Sequence, residues 1–206
     1  MSAPGIELDI VPPEDTGQDM LERGELDMLI IPREFVSPQH PARLLLEEQH
    51  VVAGWRDNPA MNAPMTAEAF VAAGHISVRL GRITRATFAE AQLRARGITR
   101  REEVVVPSFT LVPDLLVGTR RLAIMHERLA RQAARQTDIR IAPLPFDFPP
   151  MHEMIQYHRA RADDADPHVA DRRVHERPGA RVSRVVAHWP VNRGGRLSRK
   201  AFTPSA

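Results

Sequence analysis

Between Ala63 and Pro145 the hydrophobic period of the chain switches back and forth, and this constrains the fold more than any other feature. TAEAFVAAG (66–74) has a Thr cap and a Gly stop and predicts a helix. HISVRL (75–80) predicts a strand, and ITRATFAEAQLRARG (83–97) an amphipathic helix with apolar residues at Ile83, Ala86, Phe88, Ala91 and Leu93. EEVVVP (102–107) predicts a strand. SFTLVPDLLVG (108–118) predicts a helix that starts properly near Pro113, because proline is tolerated only in a first turn. RLAIM (121–125), ERLARQAAR (127–135) and IRIAPLP (139–145) continue as strand, helix and strand. Such alternation implies an α/β fold with a mostly parallel sheet.

The flanks extend the pattern. GIELDIV (5–11) reads as a strand, TGQDMLERG as a helix closed by Gly24, and ELDMLII (25–31) as a strand buried on both faces and ended by Pro32. LLLEEQHVVAGWRDNP, Leu44 to Pro59, is longer than the five or six residues of an ordinary strand and runs into a strong turn signal. HEMIQYHR (152–159) reads as a last strand. Beyond about Ala162 no period persists, although VSRVVAHW could form a short ordered piece. With few apolar side chains to offset chain entropy, residues 166–206 are expected to be mostly disordered.

Composition excludes several chemistries. The 206 residues contain no cysteine, so disulfides, thiolate metal sites and a cysteine nucleophile are ruled out. No apolar run approaches the length of a membrane-spanning helix. Residues 1–15 lack a basic start followed by an apolar block, which makes the cytoplasm the expected location. Lys200 is the only lysine. From Arg177 onward there are seven basic residues and no acidic one. This tail could touch phosphate non-specifically, but a solvated end is the plainer reading.

The order of these pieces resembles the effector-binding (substrate-binding) domain of LysR-type transcriptional regulators, in the branch of nodulation and aromatic-degradation regulators. LERGELDMLIIP resembles the family's L-x-x-G-x-L-D-x-x-I stretch. LLLEEQHVVAGWRDNP resembles its crossover L-x-x-E-x-x-V-x-V-x-R-x-x-H-P, with Asn58 where His is usual. VPSFTLVPDLLVGTRRLAIMHERLA resembles V-x-x-F-x-x-x-P-x-L-V-A-G-T-D-L-I-A-x-x-P-E-R-L-A, and PLPFDFPPMHEMIQYHR resembles the return strand. The likeness covers roughly residues 5–165. It implies two Rossmann-like α/β lobes joined by two crossover strands, a type 2 periplasmic-binding-protein-like fold. The first lobe is expected over 5–54 plus 152–165 and the second over 55–151.

The departures from the family pattern shape further expectations. The winged helix-turn-helix is missing, so the chain alone should bind no specific DNA. GIELDIV matches the second strand of the first lobe, so that lobe is expected to be incomplete, with 5–11 an unpaired edge open to association. The altered sequence after Asp166-Pro167 suggests a truncated gene or a shifted frame.

Candidate ligand contacts follow from the resemblance and from local chemistry. Ser108 stands where relatives often place a cleft His, and a plain N-cap is its ordinary role. Phe109 would offer a flat wall to an aromatic ring. Arg33, Arg82 and Thr84 lie in loops after strands; an arginine can fork onto a carboxylate, or simply sit in solvent or a surface ion pair. Pro13 follows the second strand of the first lobe. His75 is expected to be a buried, hydrogen-bonded residue and not a ligand contact. The implied partners are a small aromatic or carboxylate effector and a second copy or an intact family member. No cofactor, metal or catalytic residue is expected: there is no H-E-x-x-H, G-x-S-x-G, Walker or G-x-G-x-x-G pattern, and Asp163-Asp164-Ala165-Asp166 lacks the Gly and Glu of a calcium loop. A stand-alone solute-binding protein of the same architecture, cytoplasmic or exported, is the alternative; its missing signal peptide argues against it. A small α/β enzyme is the third.

Overall fold

The computed structural model describes residues 6–11, 16–81, 86–160 and 181–187, with backbone only for 6–8 and 181–187. The chain divides into two units, Met1–Leu46 with His152–Ala206 and Glu47–Met151.

The second unit is built on strands β4 (His50–Trp55), β5 (Gly74–Val78), β6 (Arg101–Val106), β7 (Leu122–His126) and β8 (Ile139–Pro143), in the order β6-β5-β7-β4-β8. β5 runs parallel to β6 and β7, whereas β4 is antiparallel to both its neighbours. The expected alternation is present: α2 (Ala67–Ala72), α3 (Phe88–Ala95), α4 (Val112–Leu116) and α5 (Glu127–Ala133) connect these strands. Their starts follow cap chemistry. Thr66 Oγ1 accepts from Ala69 N at 3.1 Å and Thr87 Oγ1 from Glu90 N at 3.4 Å, each satisfying a donor that the first turn leaves open. Pro113 sits in the first turn of α4, where its missing N–H costs nothing. α3 begins at Phe88, five residues later than its apolar pattern suggested; residues 82–85 lie outside the described part.

The sheet of this unit is covered on both faces, so β4 and β7 carry continuous apolar stretches at 51–53 and 122–125. Val51 and Ala53 join Ile76, Val106, Val112 and Met125 on one side. Val52, the residue between them, joins Phe70, Leu93 and Leu122 on the other. Asn58, in the place of the family's His, is 2 % exposed. Its Oδ1 caps the following 3-10 turn at Ala60 N (3.1 Å) and its Nδ2 donates to Arg121 O (3.3 Å).

The first unit holds β1 (Ile6–Val11), α1 (Gly17–Glu22), β2 (Met28–Pro32), most of β3 (Ala42–Glu48), β9 (Met151–Tyr157) from His152 onward, and β10 (Arg181–Ala187). The sheet order is β1-β10-β2-β9-β3. β10 runs parallel to both β1 and β2, and β9 is antiparallel to β2. The core beneath is small: Leu21, Leu26, Leu29 and Ile31, with Met20, Phe35 and Val36 against it.

Three expectations change. The long run from Leu44 is not one strand: it breaks at Gln49 into β3 and β4, which belong to different sheets. The division therefore falls between Leu46 and Glu47 and not after Gly54, because every residue from His50 to Gly54 pairs with β7 and from Val51 onward with β8 as well. Strand 5–11 is not left unpaired, since Ile6–Val11 pairs residue for residue with Arg181–Val186. Seven residues of the stretch expected to be disordered are thus a strand in the second position of the sheet. Their sequence, RVSRVVA, is rich in β-branched valine, which suits a pleated ladder. The rest of 166–206 lies outside the described residues, as does Asp163–Asp166 at its start.

Candidate functional site

In the second unit, β6 ends in a turn at Pro107-Ser108. Ser108 is extended (φ −150°, ψ 139°) and caps the 3-10 turn Phe109–Leu111, which runs directly into α4. Its Oγ accepts from Thr110 N at 3.2 Å and lies 2.7 Å from Thr110 Oγ1. Ser108 is half-buried and Thr110 exposed, so this hydroxyl pair is open to solvent. The cap role and a ligand role are compatible, because a hydroxyl carries two acceptor lone pairs and one donor. Phe109 behaves differently from the wall expected of it. It is 5 % exposed, belongs to the core and packs its ring 4.4 Å from that of His126.

Phe109 begins a buried row of rings. His126 pairs with His50 across β7 and β4, with ring centroids 5.0 Å apart. His50 in turn contacts Phe88 and Phe148, each at 5.3 Å. Beside this row, at the end of β3, stands a residue that the sequence reading passed over. Glu48 is 1 % exposed. Its Oε1 accepts from Arg128 N at 3.1 Å and its Oε2 faces Arg128 Nε at 3.2 Å. Burial outweighs these contacts and pushes the carboxyl up to about 7. One signal was available: Glu47 and Glu48 are consecutive in an extended chain, so one of them must point inward.

A cavity of about 520 Å³ lies in the same unit, lined by Arg79, Glu90, Arg94, Arg100 and Glu102 with Leu93 as apolar wall. Most of its charge is spent internally. Arg79 Nη2 meets Glu102 Oε2 at 2.5 Å, Arg100 pairs with Glu90, and Arg100 Nη2 donates to Ser77 Oγ at 2.9 Å. His75 closes this network from below: it is wholly buried, with Nε2 2.7 Å from Phe70 O and Nδ1 3.5 Å from Arg100 Nη1. The ring is a structural hydrogen-bonding residue, as expected. Burial lowers its pKa to about 4, so the neutral form persists near neutrality, with Nε2–H donating to the Phe70 carbonyl.

In the first unit, Arg33 is exposed at the head of the 3-10 turn Arg33–Phe35 that follows β2. Behind it, Gln156 of β9 is fully buried and fully used: Nε2 donates to Ser37 O (2.7 Å) and His40 O (3.1 Å), and Oε1 accepts from Gln18 Nε2 (2.9 Å) and Ser37 N (3.2 Å). Four bonds to one amide fix the loop that leads into β3. Pro13, Arg82 and Thr84 lie outside the described residues.

Comparison with known proteins places this geometry. The family model for the LysR substrate binding domain matches residues 2–170. Among curated proteins, the chain is 39 % identical over 155 residues to nodulation protein D 2 of Rhizobium tropici, and 37 % identical over 155 residues to nodulation protein D 1 of Bradyrhizobium diazoefficiens. Each alignment covers 75 % of this chain and 49 % of the relative, so the chain spans about half the length of these relatives. Among solved structures, a probable transcriptional regulator from Pseudomonas aeruginosa superposes with a TM-score of 0.72 at 24 % identity, covering 84 % of this chain and 58 % of that one. The regulatory domain of MetR from N. meningitidis gives a TM-score of 0.61 at 14 % identity, covering 84 % and 80 %. At these identities the likeness concerns the fold, which is the type 2 periplasmic-binding-protein-like fold of such regulatory domains.

Proposed function

This chain belongs to the LysR substrate-binding domain family, and on that premise we propose that it binds a small-molecule effector and couples its occupancy to the assembly of a transcriptional regulator. The family match over residues 2–170 is the observation that carries the reading. The effector is an aromatic or carboxylate compound. Ser108 and Thr110 supply hydroxyls to its polar end, and Phe109, locked in the core against His126, holds their turn in place. Arg33 is the corresponding candidate in the first unit, where its exposed guanidinium is available to a carboxylate.

The protein is not an enzyme in this reading. The buried groups with shifted pKa, Glu48 and His75, are tied to Arg128 and to the Phe70 carbonyl, and none of the sequence patterns of hydrolytic or nucleotide chemistry is present. Its place is the cytoplasm, where a regulator meets its effector, and its macromolecular partner is a second copy or an intact family member. No helix among the described residues is long and apolar enough to cross a membrane.

A thermal-shift screen tests the reading. Hydroxybenzoates and related aromatic carboxylates are expected to raise the melting temperature in a saturable way, because a ligand that binds only the folded state stabilises it by mass action. No shift with any aromatic acid, alongside a saturable shift with a different compound class, would displace the carboxylate assignment and keep effector binding.

A further inference from the structure

We propose that Glu22, His40 and His158 form a zinc site that ties α1 to the two ends of chain bordering β3 and β9. One ligand atom from each of these side chains lies within 4.8 Å of the other two. Glu22 is the last residue of α1, His40 lies two residues before β3, and His158 follows β9 directly. All three belong to the first unit. Two histidines and one glutamate, with a fourth position left to water, are a ligand set that zinc takes in open sites.

The arrangement is already half assembled. His40 Nε2 stands 2.6 Å from Glu22 Oε2, and the His40 side chain is only 2 % exposed. The His40 and His158 rings are tilted by 47° to each other, with centroids 4.9 Å apart. Glu22 is 45 % exposed and His158 half-buried, so both can adjust. Two donors bonded to one tetrahedral zinc at about 2.0–2.2 Å stand roughly 3.4 Å apart, so His40 Nε2 and Glu22 Oε2 must part from 2.6 Å while the wider separations, up to 4.8 Å, close. The four bonds on Gln156 hold the His40 carbonyl and limit how far the loop itself moves.

Three neighbouring groups oppose the ion. Arg159 N–H points at His40 Nδ1 at 3.4 Å, which leaves the proton of the neutral ring on Nε2, facing Glu22. Zinc at Nε2 needs that proton on Nδ1 instead, which gives up the long contact with Arg159. Likewise Ala160 N–H meets His158 Nδ1 at 3.2 Å, so an ion takes Nε2 of that ring or breaks this bond. The Arg159 guanidinium lies 3.8 Å from Glu22 Oε1 and, being 64 % exposed, can swing away.

The test is calorimetric titration of the full 206-residue chain with Zn²⁺ alone, with Co²⁺ absorption as a second readout of nitrogen–oxygen ligation. One ion per chain is expected. His158→Gln and Glu22→Gln should each weaken binding about tenfold or more and alter the Co²⁺ spectrum. These two residues are partly exposed, so both variants should fold, as circular dichroism would verify. A variant with His168, His175 and His188 all changed to Gln should bind as the parent does. Absence of binding, binding indifferent to His158→Gln and Glu22→Gln, or loss of binding in the triple variant would each overturn the proposal.

Discussion

Arg100→Met is expected to lower the stability of the chain by about 3–5 kcal/mol, the cost of breaking a buried ion pair by removing one partner. The Arg100 side chain is 5 % exposed and that of Glu90 23 %. Burial lowers the Arg100 pKa and raises that of Glu90, so neither charge is comfortable without the other. Arg100 also supplies Ser77 Oγ and faces His75 Nδ1. Its loss strands a half-buried carboxylate and takes one partner from Ser77 and from His75. Replacing both partners, as in Arg100→Met with Glu90→Leu, removes the stranded charge and should recover most of the loss. Urea melts of the two single variants and the double one measure the coupling. Additive losses would mean that the pair does not act as a unit.

The second large effect depends on pH and has opposite signs at two residues. Glu48 has its folded pKa raised to about 7 from an ordinary 4.5. The folded state then holds the proton more tightly, so stability falls as pH rises from about 4.5 to 7, by up to about 3 kcal/mol. His75 has its folded pKa lowered to about 4 from 6.5. Its contribution is full above pH 6.5 and is lost as pH falls toward 4. Between 4.5 and 6.5 the two oppose each other and the parent chain should show a shallow profile. Above 6.5 Glu48 acts alone. Glu48→Gln keeps an acceptor for Arg128 N–H and leaves the Arg128 side chain, itself 59 % exposed, in solvent. The variant should therefore be more stable than the parent at pH 8, and should lose stability steeply on acidification below 6.5 because His75 is unopposed. Parallel stability–pH curves for the two proteins would show that Glu48 does not titrate in this range.

The elements with local signals were legible in the sequence. Thr66, Ser108 and Pro113 announce helix starts by chemistry that needs no tertiary partner, and the continuous apolar stretch of β7 follows from burial on both faces. The break at Gln49 was not legible: no glycine or proline marks it, and only pairing of β4 with β7 and β8 ends the run of β3. β10 was legible only as the short ordered piece VSRVVAHW, and not as part of a ladder, for a related reason. Its partners β1 and β2 lie more than 150 residues away, so composition around it reports solvation while the ladder reports pairing. At the candidate site, the Ser108 turn was located by its cap pattern. Glu48 was missed because a glutamate is an exposed residue by default, and only the packing of α5 over β4 buries it. Glu22, His40 and His158 come from three distant segments, and none carries a local mark of its neighbours.

The claim that this chain is an effector-binding domain is tested most directly by calorimetry with a hydroxybenzoate on the parent, on Ser108→Trp and on Arg94→Ala. Arg94 lines the separate cavity beside α3 and serves as a control. Saturable binding to the parent, abolished by Ser108→Trp with folding retained and unchanged by Arg94→Ala, is the predicted result. Binding that is indifferent to Ser108→Trp while the fold holds would contradict the site, and failure of every small-molecule class tested, aromatic and carboxylate compounds included, to bind the folded parent would contradict the function.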